Sequence, residues 1–128
     1  MTRDIINVQC PVVDKTQSVA DIAITKTAVV VANGITIKNA FKNKNNTLLI
    51  CVENTATSAA KVTFKAGNEY PNAMLGDLEV TVGASSTTML QIQDASRFEN
   101  KDGSVNLDFA TGFTGNIYAV AKSVALNV

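Results

Sequence analysis

A chain of 128 residues, 46% of them hydrophobic, is sized for one domain with a core of its own. No apolar run approaches the roughly 20 residues a membrane-crossing helix needs. Eleven basic and eleven acidic residues cancel to a formal net charge of zero, which argues against a nucleic-acid partner. Histidine and tryptophan are absent, which removes every His-dependent triad, general base and metal ligand.

The first ten residues, MTRDIINVQC, hold no signal-peptide core, because Arg3 and Asp4 interrupt the apolar residues at once. Export by the common route is therefore not expected. Ile5, Ile6, Val8, Pro11, Val12 and Val13 are apolar anchors without a clear period. Ala20, Ile22 and Ile24 alternate with Asp21, Ala23 and Thr25, a short strand pattern. Residues 1–26 read as an N-terminal arm or edge element, and residues 27–128 as the main domain.

Residues 28–32 and 35–38 are β-prone runs flanking Asn33-Gly34. That dipeptide predicts a hairpin with a type I′ turn, which needs positive φ at both central positions. Residues 39–46, NAFKNKNN, follow as an exposed loop, with Phe41 either pinned into the core edge or presented to a partner.

Residues 48–52, LLICV, form an unbroken apolar run of strand length, expected to be buried on both faces. The polar linker over residues 53–60 is long for a tight hairpin. Val62, Phe64 and Ala66 then alternate with Lys61, Thr63 and Lys65, giving a strand with one dry face. Residues 67–76, GNEYPNAMLG, are a loop that carries Tyr70, Met74 and Leu75, apolar enough to meet a partner.

Leu78, Val80 and Val82 alternate into a half-buried strand, residues 83–86 turn the chain, and residues 87–93 form another strand. Residues 94–100 read as a helical turn or loop with Asp94 at its N-cap. A turn at 101–104, an alternating strand through Val105, Leu107 and Phe109, a Gly/Thr turn and an apolar closing strand over 117–125 complete the chain. Eight or nine short strands with Gly/Asn/Ser turns and no long helix predict an all-β fold, an antiparallel β-sandwich of Ig-like or jelly-roll type.

Catalytic, cofactor and metal residues are not assigned. Asn100-Lys101-Asp102-Gly103-Ser104 lacks the ligand spacing of a calcium loop and reads as a turn. Glu79 and Asp108 fall on the wet faces of their strands, not in a shared cleft. Cys10 and Cys51 are too few for a structural zinc site. Cys51 is expected as a small buried hydrophobe, with a Cys10–Cys51 disulfide as the lesser alternative. No enzymatic function is expected. Two tyrosines and no tryptophan are a thin supply of stacking surface for sugars.

Charge is unevenly spread. Lys38, Lys42, Lys44, Lys61 and Lys65 face only Glu53 in their segment, whereas Glu69, Asp77, Glu79, Asp94, Glu99, Asp102 and Asp108 outnumber Arg97 and Lys101 in the next. The bland reading is two solvated loop regions, and the sharper one a polar protein–protein contact.

From Asn45 to the C-terminus the order of motifs resembles the small β-sandwich head decoration (auxiliary capsid) proteins of tailed bacteriophages. The residues that carry it are LLICVENTATSAAKVTFKAG, DLEVTVGASSTTMLQI, SRFENKDGSVNLDF and IYAVAKSVALNV. The resemblance implies a non-enzymatic virion structural protein, made in the host cytoplasm, that binds the outer surface of the capsid. Its partner would be the major capsid protein or another virion protein, with self-association into a trimer also open, and no cofactor, nucleic acid or membrane. The candidate contacts are Arg3, Ile5, Ile6, Val8, Phe41, Lys42, Lys44, Tyr70, Met74 and Leu75. The alternative is a carbohydrate- or receptor-binding β-sandwich module of a fibre, tail or adhesin.

Overall fold

Alternation becomes strand in most of the segments that carry it; the exception is 20–25, where residues 21–26 form no extended strand and Ile22 and Ile24 stay exposed. The computed structural model describes residues 2–11, 21–41, 48–68 and 72–121. In order these form β1 (Asp4–Gln9), β2 (Thr27–Ala28), β3 (Ile35–Lys38), β4 (Leu49–Asn54), β5 (Ala60–Phe64), α1 (Asn72–Leu75), β6 (Leu78–Val82), β7 (Ser86–Leu90), α2 (Ala95–Phe98), β8 (Val105–Phe109) and β9 (Gly115–Val120). In β5 and β8 every second side chain is buried, as expected of strands with one dry face.

The strands pair in the order β6-β5-β8-β3-β1-β9-β4-β7, with β2 on β9. This single sheet curls until its two free edges, β6 and β7, face one another across a nearly closed barrel. The all-β expectation holds. The purely antiparallel one is corrected, because β1 runs parallel to β3 over Asp4–Asn7 and parallel to β9 over Val8–Gln9. Its role also differs from an arm or edge element, since it sits between two neighbours and joins the two halves of the sheet. Parallel partners are brought together by long connections, so no local turn marks such a strand. A strand that changes partner halfway has no steady environment along its length, which is why its apolar residues lack a period.

The hairpin expected at Asn33-Gly34 does not form. β2 pairs with β9 and β3 with β1 and β8, so the turn carries the chain from one half of the barrel to the other. Gly34 alone takes positive φ, and its amide and that of Asn33 both donate to Val30 O. Arg3 crosses over Gly34 to donate to Leu107 O (3.0 Å) and to pair with Asp108. A methyl group at Gly34 would strike that guanidinium.

β4 meets the expectation for residues 48–52. It lies between β9 and β7, with Ile50, Cys51 and Val52 buried and Leu49 half-buried. Cys51 is free, as is the exposed Cys10. The closing strand is observed as Gly115–Val120, and residues 122–125 of its expected extent lie outside the described residues. Ile35, Ile37, Ile50, Val52, Leu107 and Ile117 fill the barrel. Phe109 packs against Phe113 at one margin (4.8 Å between centroids) and Phe64 against Phe98 at another (5.6 Å).

One buried polar residue holds the corner between the halves. Asn54 is 1% exposed, and its amide nitrogen donates to Ser58 O (3.0 Å) and Gly83 O (3.2 Å). Its oxygen accepts from Ala56 N (3.1 Å). The linker after β4 is thereby tied to the turn between β6 and β7, where Ser85 N donates to Ala56 O (2.9 Å).

Candidate functional site

The barrel is left unfinished at one end. β6 and β7 follow one another around the corner at residues 83–85, yet no ladder joins them. Beyond that corner they flank a cleft of about 240 Å³, lined by Phe64, Leu78, Val80, Leu90, Ile92 and Phe98 with Asp94 and Arg97 at its rim. Leu78 and Val80 occupy inward positions of β6, in line with buried Val82. Leu78 is nevertheless 41% exposed, because no strand among the described residues closes over it. Next to it stand Met74 and Leu75 on α1, 73% and 50% exposed. Single exposed apolar residues are ordinary, whereas three large ones within residues 74–78 make this end a candidate contact surface.

Charged and polar groups fix this end. Arg97 donates from Nε to Gly76 O (3.0 Å) and from Nη2 to Asp77 O (3.0 Å), and its guanidinium lies over the Phe98 ring. Its carbonyl accepts from Gly67 N. Asp77 accepts from Lys65 Nζ and Ala66 N, both at 2.7 Å. Those two bonds hold its carboxyl below the ordinary carboxylate range, Lys65 contributing most. The α1–β6 connection is therefore pinned to β5 and α2, and Met74 and Leu75 are presented from an anchored base.

A second hollow, of about 270 Å³, lies on the opposite half, lined by Ile5, Asn7, Gln9, Thr25, Thr27 and Tyr118. Gln9 imitates a strand neighbour here. Its Nε2 donates to Thr25 O (2.8 Å), and its Oε1 accepts from Thr25 N (2.9 Å). Lys26 lies near the Tyr118 ring and donates to Glu53 (2.7 Å). That bond raises the Lys26 pKa and is the main reason Glu53 titrates below its usual range. The Tyr118 phenol is pushed up, first by the Cys51 thiol across the β4–β9 pair and then by burial.

The residues singled out from the sequence divide three ways. Met74 and Leu75 are exposed on α1, outside the cleft lining, and Ile5 is exposed at the second hollow. Ile6 and Phe41 belong to the core, Val8 packs against it, and Arg3 is engaged with Leu107 and Asp108. Lys42, Lys44 and Tyr70 lie outside the described residues. The structure adds Leu78, Leu90, Ile92 and Arg97. In sequence the three apolar residues look like ordinary strand interior, and only Arg97, a base among carboxylates, carried a signal.

Among the described residues no three His, Cys, Asp or Glu side chains gather to hold a metal ion. Around 100–104, Asp102 is occupied by the Ser104 hydroxyl and amide, which lower its pKa. Asn100 is occupied by Ser104 and Asn68, which accounts for this segment as turn chemistry. Asp94 flanks α2 without a side-chain cap bond to it. No family model, curated protein or solved structure matches this chain.

Proposed function

We propose that this protein is a non-enzymatic virion structural protein, a head decoration protein that binds the outer surface of a phage capsid through the α1–α2 end of its barrel. The carrying observation is the run of exposed Met74, Leu75 and Leu78 on an anchored base, with Leu78 lining an apolar cleft. Area of that kind is stabilised when a protein partner covers it. The motif resemblance supplies the kind of partner, the major capsid protein or another virion protein. In this reading the barrel acts as a flattened sandwich of Ig-like or jelly-roll type whose open end faces the capsid. The protein is made in the host cytoplasm and ends on the virion, and assembly as a trimer would match capsid three-fold positions.

The test is co-sedimentation with capsids that lack the protein. The full chain pellets with them, and Met74→Lys combined with Leu75→Glu leaves it in the supernatant with its fold intact by circular dichroism. A wild-type protein that never pellets sinks the proposal. The polar hollow beside Tyr118 favours a second reading, a saccharide-binding module. A glycan array with specific hits lost on Thr27→Ala and Tyr118→Ala would establish it in place of the first.

A further inference from the structure

We infer that the seam between β6 and β7 is a strand-insertion site. Its occupant is an extended segment of the virion protein on which this chain docks, apolar at alternate positions and flanked by Lys or Arg. The inference rests on the docking reading above and specifies how that contact is made.

The register shows which backbone groups the seam offers. Lys61 O accepts from Ala110 N, and Lys65 N donates to Asn106 O. Odd members of β5 therefore turn their backbone groups to β8 and even members turn theirs to β6. Val62 stands opposite Val80 and Phe64 opposite Leu78, so the backbone groups of Glu79 and Thr81 point away from β5, to the open edge. On the other side Thr55 N donates to Thr114 O, which assigns the odd members of β4 to β9 and the even members to β7. Val52 pairs with Thr88 and Ile50 with Leu90, so Thr87 and Met89 point their backbone groups to the open edge of β7. Two short rows of strand donors and acceptors thus border one cleft, and among the described residues no strand pairs with either. An added strand satisfies such rows, whereas a helix face or small molecule does not.

The side chains set the rest of the specificity. Inward-pointing residues of an inserted strand would land on Leu78, Leu90 and Ile92, above Phe64 and Phe98. This calls for apolar residues at every second position. The rim favours a basic flank. Arg97 is already committed to Gly76 O and Asp77 O. Glu79 lies on the outer face of β6 with a long contact to Lys61 (3.9 Å), and Asp94 sits at the cleft with a hydroxyl donor from Ser96. Both can take a cation from the occupant.

The experiment uses the full chain and three measurements. Heptapeptides are selected from a random display library against the immobilised protein. The enriched ones are synthesised with and without N-methyl groups at alternate residues and measured by fluorescence anisotropy. Binding is repeated with Thr81→Pro and Thr87→Pro, which remove outward amides and no hydrogen bond within the sheet. Capsid pelleting is run in parallel. The expected result is enrichment of alternating apolar peptides with Lys or Arg ends, at least tenfold weaker binding on N-methylation or on either proline substitution, and reduced pelleting of the proline variants. Enrichment without alternation, or equal binding by N-methylated peptides, overturns strand insertion. Should a proline variant unfold, the N-methylated peptides on the wild-type protein decide alone. Pelleting that the proline variants leave unchanged removes strand insertion and keeps the docking reading. Peptide binding without any pelleting does the reverse.

Discussion

Asn54 is the residue whose replacement tests the architecture most directly. It is 1% exposed, and its side chain makes three hydrogen bonds of 3.0–3.2 Å, to Ser58 O, Gly83 O and Ala56 N, and a longer one to Val82 O (3.5 Å). At a net value of about 1 kcal/mol each, Asn54→Ala costs about 3 kcal/mol. Asn54→Asp is the sharper perturbation. It keeps the acceptor for Ala56 N but loses both donors, and it turns a carboxylate toward the carbonyls of Ser58, Val82 and Gly83. Burial and those dipoles disfavour the charged form, so the folded-state pKa of the new carboxyl lies above its unfolded value of about 3.9. Relative to wild type, the Asp variant is then least impaired below that value and loses stability as pH rises through the raised one. Urea denaturation followed by circular dichroism, at pH 4 and pH 7, reads both effects at constant m-value. A cost below about 1 kcal/mol for Asn54→Ala would refute the reasoning, since three buried hydrogen bonds cannot be worth so little. So would an Asp variant equal to the Ala variant at pH 7.

Three further outcomes are expected. Gly115 takes positive φ where β9 pairs with Asn54 of β4, and an added Cβ would run into the Glu53 carbonyl, so Gly115→Ala should cost about 3 kcal/mol or more in the same denaturation assay. Glu53, Asp77 and Asp102 all titrate below their ordinary values, so the stability they supply is present above the unfolded carboxylate range, near pH 4, and is lost as pH falls through their depressed pKa values. The denaturation midpoint should therefore hold from pH 7 to about 5 and then drop, with a smaller drop for Asp77→Asn; an unchanged profile in that variant contradicts the Lys65 and Ala66 pairing. Cys10 is exposed and Cys51 buried, both free, so a thiol reagent should titrate one cysteine at once and the second only on unfolding.

The sequence by itself determined the class and most of the strands. Period-two alternation is a local property, and in β5, β6 and β8 it is visible because one face of each strand turns to the core. Unbroken apolar character marked β4 because side chains on both of its faces are covered, Ile50, Cys51 and Val52 being buried in succession. The exposed Met74 and Leu75 were legible as apolar residues in a turn-rich segment.

Only the tertiary structure decided the pairing. Asn33-Gly34 has the chemistry of a hairpin turn, but its flanks pair apart, with β9 on one side and with β1 and β8 on the other. The parallel placement of β1, with Ile6 in the core, depends on contacts across nearly the whole chain, which no window of neighbouring residues can register. The site shares that origin. Leu78, Leu90 and Ile92 are written as strand interior, and they become a surface because the curl of the sheet stops before β6 reaches β7. Whether a sheet closes depends on the summed twist and stagger of all its strands, so the gap is a property of the barrel and of no single segment.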